Sequence, residues 1–214
     1  MVIPVIYGAD YSTYVRTVRL TFEEKPAEYR LEHVHFLGGE AQQPSHLRRQ
    51  PFGKVPAFEH DGLTLYETDA IIRYVDQVFP GRRLQPDDPR RAARMNQIIG
   101  MIESYGWPSI IGKIVWQRLI VPMTEKREGD EAIVREAKPM VRLCLSEFER
   151  IRGQDRYLAG PEISLADLFL APIFTYFSMT PDATELLKDC PGLRNWWAEI
   201  STRESMIHTQ PKLG

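Results

Sequence analysis

Residues 51–58 read Pro-Phe-Gly-Lys-Val-Pro-Ala-Phe and residues 65–71 read Leu-Tyr-Glu-Thr-Asp-Ala-Ile, and these two stretches are the most informative part of the chain. Between them lies the dipeptide Asp61–Gly62, which favours the tight turn of a β-hairpin because both residue types tolerate positive φ. The pattern predicts two short strands, Ala57–His60 and Thr64–Glu67, paired across this turn.

Outward from the hairpin, the first 80 residues alternate strands and helices. Val2–Tyr7 is an apolar, β-branched run and Glu28–Phe36 alternates loosely, so both are predicted strands. Between them, Ser12 precedes apolar residues at helical spacing. Two glycines and a proline mark a loop before the hairpin. Asp69–Val78 follows as an amphipathic helix.

The second part of the chain has a different character. Prolines and glycine at residues 81–89 indicate a linker. Beyond it no stretch resembles a strand, and four helical segments are predicted, at 90–120, 130–152, 164–180 and 191–202. We therefore expect an α/β domain at 1–80, a linker at 81–89 and an all-α domain at 90–214.

The composition excludes several classes of protein. Of 214 residues, 43% are hydrophobic and 26% charged, as in ordinary globular proteins. The net charge of −2, from 27 basic and 29 acidic side chains, is unlike that of a nucleic-acid-binding surface. No apolar run is long enough to span a membrane. The N-terminus lacks a signal peptide, and the two cysteines cannot form a disulfide framework, so a reducing cytoplasm is expected.

Motifs for bound nucleotides and metals are also missing from the sequence. It contains no G-x-G-x-x-G, no P-loop, no H-E-x-x-H and no C-x-x-C. His33 and His35 could share a strand face and bind a metal, but no third ligand lies nearby, so no metal is expected.

The two opening stretches resemble the N-terminal domain of the glutathione transferases, which has N-P-x-G-x-V-P-x-L followed by E-S-x-A-I. Here Gln50 replaces the usual Asn and Thr68 the usual Ser. In the second part, Ser164–Asp167 is similar to the family's helix-capping segment and Trp196–Trp197 fits its last helix. The resemblance covers nearly the whole chain. It implies a thioredoxin-like N-terminal domain (βαβαββα) and an all-α helical-bundle C-terminal domain, as in cytosolic, bacterial-type, serine-using, phi/theta-like members.

The resemblance also implies a glutathione site. Val55–Pro56 would be a cis peptide, with the main chain of Val55 facing the cysteinyl part of the tripeptide like an added strand. Glu67 and Thr68 would bind the γ-glutamyl end, where a helix N-terminus favours a carboxylate and Thr68 could act as the helix cap. Lys54 would bind the glycyl carboxylate together with Gln42, which is assigned to this end by its spacing alone.

The residue that activates the glutathione thiol is expected near the start of the first helix. Ser12, four residues after Gly8, matches the serine-using classes, while Tyr7 and Tyr14 are open alternatives. A serine can donate a hydrogen bond to the thiolate, and the helix N-terminus adds its partial positive charge. The first cysteine is Cys144, which argues against the cysteine-using classes.

The second substrate is expected to be a small apolar electrophile in a pocket lined by Tyr11, Tyr105 and Trp116. Tyr105 and Trp116 are 11 residues apart and would share a helix face, although a place in the core or a dimer surface is the favoured interpretation for these two. The implied enzyme is a transferase of alkyl or aryl groups that serves detoxification. The resemblance also implies a homodimer, with helices that begin near Asp69 and Pro89 at its interface.

Two other functions remain open at this stage. One is a glutathione-dependent peroxidase or isomerase on the same site, because one activated thiolate serves all three reactions. The other is a non-catalytic binding or assembly module, against which the retained Ser12, Glu67 and Thr68 argue.

Overall fold

The computed structural model describes residues 2–211, and within it the chain divides into two compact units. The first unit runs from the N-terminus to Gln85 and also includes the segment from Arg203 onward. The second unit is Pro86–Thr202. No helix among the described residues is long and apolar enough to cross a membrane.

The first unit contains a four-stranded mixed sheet with the strand order β2-β1-β3-β4. Its strands are β1 (Val5–Tyr7), β2 (Arg30–Glu32), β3 (Ala57–His60) and β4 (Leu63–Tyr66). Strands β1 and β2 are parallel, whereas β3 is antiparallel to both β1 and β4. The predicted thioredoxin-like arrangement is confirmed.

The β3–β4 turn has the geometry that its sequence predicts. Asp61 has φ 47° and Gly62 has φ 80°. Consecutive positive φ values are what the tightest hairpin turns require, since they match the right-handed twist of the strands.

Three helices of the first unit follow the βαβαββα order that the resemblance implies. They are α1 (Thr13–Glu24), α2 (Pro44–Leu47) and α3 (Thr68–Val78). The short α2 and two 3₁₀ turns, Phe36–Gly38 and Glu40–Gln42, occupy the segment that the local pattern predicts to be a loop.

The core of this unit lies between the sheet and helices α1 and α3. Its centre is apolar and fully buried, because the inward residues of the strands alternate with outward ones and the helices contribute residues at i, i+3 and i+4 spacing. Its fully buried members include Ile6, Phe58, Val15, Val18, Phe22, Ile71, Ile72 and Val75.

The second unit is helical, and its described residues form no strand beyond one isolated bridge between Tyr157 and Gly160. Its helices are α4 (Pro89–Met101), α5 (Trp107–Ser109), α6 (Val121–Glu125), α7 (Glu131–Arg152), α8 (Leu165–Phe177), α9 (Asp182–Leu186) and α10 (Pro191–Ile200). The predicted all-α class is confirmed. Helix α9 was not predicted.

The predicted helix at 90–120 is helical but not regularly α-helical. Two π-helical segments, Ile102–Gly106 and Ile110–Ile120, interrupt it on either side of α5. Pro108 lies within α5, where it cannot donate a main-chain hydrogen bond. Inserted π turns are frequent at functional sites and shift every side chain that follows them.

The last described helix, α11 (Glu204–His208), packs on α1 in the first unit. The buried guanidinium of Arg16 donates to the main-chain oxygen of Met206 and to Oγ1 of Thr209. The sequence had assigned this segment to the second domain, because a short amphipathic helix carries no sign of its packing partner. The domain boundaries at 80 and 90 stay a prediction.

Candidate active site

Ser12 lies at the N-terminus of α1 as the N-cap residue, in extended conformation. Its Oγ accepts a hydrogen bond from the Val15 N–H at 3.4 Å, and its main-chain oxygen accepts from Arg16. The side chain is 8% exposed, and its hydroxyl hydrogen has no acceptor within residues 2–211. The hydroxyl can therefore donate to a ligand at the positive end of the helix.

A close approach at Gly8 brings the start of α1 next to Val55. A Cβ atom on Gly8 would collide with Cγ2 of Val15 and lie 3.3 Å from Cβ of Val55. Only glycine fits between β1, α1 and the segment before β3, so Gly8 shapes the candidate site, although the sequence indicated it only as a marker of position.

The two tyrosine alternatives to Ser12 have different surroundings. The Tyr7 hydroxyl donates to Oε2 of Glu59 at 2.7 Å, and the Arg49 guanidinium lies 4.2 Å from the ring centroid. Burial, followed by the hydrogen bond and charge of Glu59, raises the pKa of Tyr7. Tyr14 is the second residue of α1 and is half-buried. The Tyr7 hydroxyl hydrogen is thus already donated to Glu59, whereas the hydroxyl hydrogen of Ser12 is not donated to a described residue.

The peptide bond between Val55 and Pro56 is cis, as the resemblance implies. Neither the N–H nor the C=O of Val55 forms a hydrogen bond within residues 2–211. An unpaired donor and acceptor on one extended residue can pair with a peptide-like ligand as a further strand would.

Glu67 and Thr68 adjoin at the start of α3, with an unusual backbone. Glu67 is the N-cap residue, has φ 68° and ψ 117°, and makes no capping hydrogen bond with its exposed side chain. Thr68 is the first residue of the helix and is 4% exposed. The prediction that Thr68 caps α3 is therefore wrong, because the helix begins one residue earlier than the pattern indicated.

Gln42 and Lys54 are brought together around Gly53. The Gln42 amide donates to the Gly53 oxygen at 3.1 Å, and a Cβ on Gly53 would collide with that amide. Gly53 also has φ 62°, a conformation that favours glycine. Both Gln42 and Lys54 are exposed, so their remaining donors face solvent.

Among the residues proposed for the second substrate, Tyr11 immediately precedes Ser12. Its hydroxyl lies 2.9 Å from Nδ1 of His35, and its ring centroid is 5.3 Å from that of Phe36. Within the second unit, Tyr105 is 53% exposed and Trp116 is 37% exposed, which excludes both from the core. The spacing argument for a shared face assumed a regular α-helix, and the π-helical segments remove that assumption.

The His33 and His35 rings stack with their centroids 6.3 Å apart on the exposed surface. Among the described residues, no group of three or more His, Cys, Asp and Glu side chains could hold a metal ion.

Residues 6–83 match the family model of the glutathione S-transferase N-terminal domain, and residues 110–204 match that of the C-terminal domain. The chain belongs to the glutathione S-transferase family. A relative in Oryza sativa subsp. japonica, Probable glutathione S-transferase GSTF1, is 33% identical over 203 residues, which cover 94% of this chain and 92% of the relative.

Solved structures of glutathione transferases agree closely in fold. Glutathione transferase F7 from Populus trichocarpa has a TM-score of 0.87 at 30% identity, and the match covers 97% of both chains. Glutathione S-transferase I from mais, in complex with the atrazine glutathione conjugate, has a TM-score of 0.84 at 28% identity over 97% of this chain and 96% of that one.

These findings make this transferase an enzyme of glutathione conjugation, as the sequence predicted. Neither the peroxidase or isomerase alternative nor the non-catalytic module is favoured by them. At Gly8 the structure brings Val15, in the first turn of α1, next to Val55.

Proposed function

We propose that Ser12 activates the thiol of glutathione for attack on a small apolar electrophile. The observation that carries this proposal is the buried Ser12 hydroxyl at the N-terminus of α1, which accepts from Val15 and keeps its own hydrogen for a ligand. Serine is too weak an acid to be a base here. It acts by donating to the thiolate, whose charge the helix N-terminus also stabilises.

The tripeptide would lie along the first unit. The cysteinyl part pairs with the main chain of Val55 before the cis Pro56, and the γ-glutamyl end binds at Glu67 and Thr68. The exposed Glu67 carboxylate accepts from the ligand's α-amino group, and the N–H groups that begin α3 receive its carboxylate. Lys54 and Gln42 serve the glycyl carboxylate with a charge and an amide donor.

The gain in rate that a lower thiol pKa can give limits how much Ser12 can accelerate the reaction by ionising glutathione. A thiol with a pKa of ~8.5 is ~3% ionised at pH 7, and one with a pKa of ~6.5 is ~75% ionised. Nucleophilicity falls with the pKa at a slope of ~0.45, which removes about 8-fold of that 25-fold gain. The net gain is about 3-fold. Most of the acceleration must come from holding the electrophile beside the sulfur.

The electrophile class is small and apolar, in keeping with detoxification. Within the second unit, the exposed aromatic rings of Tyr105 and Trp116 supply apolar surface for it. The mais relative in complex with an atrazine conjugate supports this class of substrate.

A homodimer in the cytoplasm completes the proposal. Phe52 is 66% exposed and its ring packs edge-on against Tyr66, while Val78 of α3 is also exposed. Exposed apolar side chains of this kind are typical of protein interfaces. Both cysteines, Cys144 and Cys190, are free and buried, which is compatible with a reducing compartment.

The experiment is the variant Ser12→Ala. The pKa of bound glutathione should rise, seen as a shift in the pH dependence of the thiolate's ultraviolet absorbance. The conjugation rate near neutral pH should fall about 3-fold, which is the net gain from the lowered thiol pKa, whereas glutathione affinity should change little. The control Tyr7→Phe should leave both signals intact, because the Tyr7 hydroxyl already donates to Glu59. Loss of the thiolate signal in Tyr7→Phe or Tyr14→Phe, with Ser12→Ala unaffected, would transfer the role to a phenol.

A further inference from the structure

Two buried side chains hold the main chain of Lys54 at both of its polar groups. Nε2 of His46 lies 2.7 Å from the Lys54 oxygen, and Oε1 of Gln50 accepts from the Lys54 N–H at 3.3 Å and from the Phe52 N–H at 2.7 Å. His46 is 4% exposed and Gln50 is 2% exposed. A carbonyl oxygen can only accept, so Nε2 of His46 carries the hydrogen.

This hydrogen bond acts on the group that faces glutathione. The Lys54 C=O and the Val55 N–H belong to one planar peptide, which is trans because the cis bond is the following one. In a trans peptide the C=O and N–H point in opposite directions. Within that plane, His46 fixes the oxygen on one side of the C–N bond and thereby fixes the direction of the Val55 N–H on the other side.

We propose that His46 is a positioning residue for glutathione: it holds the Lys54–Val55 peptide so that the Val55 N–H is aimed at the cysteinyl part of the tripeptide. This inference rests on the Val55 contact in the proposed function. A buried hydrogen bond from a rigid ring suits the role, because a site must be held close to its productive geometry by side chains that packing has locked. Gln50 restrains the same loop from its N–H side.

A second buried histidine in the same unit provides a matched control. His60 is 7% exposed, its Nδ1 lies 2.8 Å from the Tyr74 hydroxyl, and its Nε2 has no partner. His46 likewise has one bonded nitrogen and an unpartnered Nδ1. The two differ in what they hold, since His60 contacts a side chain whereas His46 contacts the main chain beside Val55.

The experiment compares His46→Met with His46→Gln in the full chain. Glutamine places an amide donor near the position of Nε2, whereas methionine has similar length and no donor. For His46→Met we expect the KM for glutathione to rise about tenfold, with a parallel loss of glutathione affinity in calorimetry. The KM for the electrophile should stay the same and kcat should change far less. His46→Gln should recover most of the glutathione KM.

Thermal melting separates positioning from stability. His60→Met should lower the melting temperature about as much as His46→Met and leave the glutathione KM unchanged. If His46→Met does not fold, His46→Phe, which keeps the ring, takes its place.

Three results would overturn the inference: an unchanged glutathione KM in the folded donor-free variant, an equal rise in His60→Met, or no recovery in His46→Gln. A wild-type chain that does not bind glutathione would instead overturn the proposed function itself.

Discussion

Glu67 has the least usual backbone among the residues of the candidate site. Lys126, another non-glycine residue with positive φ, lies in the left-handed helical region at φ 56° and ψ 31°, whereas Glu67 combines φ 68° with ψ 117°. Such a conformation costs on the order of 1–3 kcal/mol and persists where the surrounding structure requires it. Here it turns the chain from β4 into α3 and leaves the Glu67 carboxylate exposed.

Two variants of Glu67 should separate the backbone from the side chain. Glu67→Ala and Glu67→Gly both lose the carboxylate, so the glutathione KM should rise about 10-fold or more in each, since a charge-assisted bond contributes roughly 1.5–3 kcal/mol. Glycine relieves the backbone, so Glu67→Gly should have a free energy of unfolding about 1 kcal/mol above that of Glu67→Ala. Steady-state kinetics measures the glutathione KM, and urea unfolding measures the free energy of unfolding. A wild-type KM in both would remove Glu67 from the γ-glutamyl end.

Thr68 can be tested in the same assay. Thr68→Ala removes the hydroxyl beside the first N–H groups of α3, and a rise in the glutathione KM is expected because the site loses one donor to the γ-glutamyl carboxylate. Thr68 provides no cap hydrogen bond for α3, so its loss should have little effect on helix stability. A large fall in unfolding free energy with an unchanged KM would make Thr68 a structural residue only.

At the level of the elements, helix α8 is organised by one buried carboxylate. Asp167 is fully buried and accepts from the Leu158 N–H, from the N–H and hydroxyl of Ser164, and from Nε1 of Trp196. Burial raises the pKa of Asp167, and these hydrogen bonds oppose that rise. The predicted capping box of Ser164 and Asp167 is present. The carboxylate also ties α10 to the start of α8.

Replacing this carboxylate should destabilise the protein without affecting its ligand. Asp167→Ala leaves several buried donors unpaired, so the free energy of unfolding should fall by at least about 3 kcal/mol. Asp167→Asn keeps one acceptor oxygen, so its free energy of unfolding should lie between those of the wild type and of Asp167→Ala. The glutathione KM, measured where each variant is folded, should not change. A variant of normal stability with weakened glutathione binding would mean that Asp167 belongs to the site.

The elements that were predicted from sequence share a local signal. The Asp61–Gly62 turn and the Ser164 capping box each need only a few neighbouring residues, so their geometry is encoded where it occurs. Glu67 and Val55 were predicted as site residues through a resemblance of motifs, and that assignment stays a prediction. By contrast, the role of His46 depends on a partner eight residues away along an irregular segment, and no periodicity reveals it.

The π-helical segments illustrate a second limit on what can be predicted from the sequence. A π turn arises from one extra residue in a helical pattern, and the helix breakers Gly106 and Pro108 within 90–120 indicate a kink without showing where the extra residue lies. The face on which Trp116 lies therefore could not be derived from a 3.6-residue period.

On the scale of the whole molecule, the chain returns to its first unit after the second is complete. Arg203 forms a two-point contact with the Glu24 carboxylate at 2.8 and 2.7 Å, and the Ser205 hydroxyl donates to the same group at 2.6 Å. Burial acts to raise the pKa of Glu24, but the bonds from Arg203 and Ser205 and the nearby positive charges outweigh it and hold the pKa below its ordinary value. Residues far apart in sequence thus join α1 to α11.

This contact predicts a pH-dependent stability. Because the pKa of Glu24 is lower in the folded than in the unfolded chain, its contribution is complete above the unfolded value of about 4.3 and is lost as the pH falls through the folded value. Arg203→Met should lower the free energy of unfolding by about 1 kcal/mol at pH 7, a modest figure since Arg203 is partly exposed. The difference between wild type and variant should shrink between pH 5 and pH 3.

The matched control is Arg150→Met, whose partner Glu147 lies on the same face of α7 in an exposed pair. Arg150→Met should change the free energy of unfolding little at pH 7 or between pH 5 and pH 3. An Arg203→Met difference that stays constant with pH would show that packing of the arginine stem, and not the charge of Glu24, accounts for the loss.

The return of the chain to α1 has a consequence for biosynthesis. On the ribosome, residues up to Gln85 emerge first, yet the partners of Arg16 and Glu24 are made only after all of Pro86–Thr202. At translation rates of roughly 5–20 residues per second, that interval lasts about 6–24 s. During it, the polar face of α1 that α11 will cover is open to water and to chaperones. The first unit is therefore incomplete until α11 has been made, and a message cut short before residue 203 would release a chain in which α1, the helix that begins after Ser12, lacks its contacts with α11.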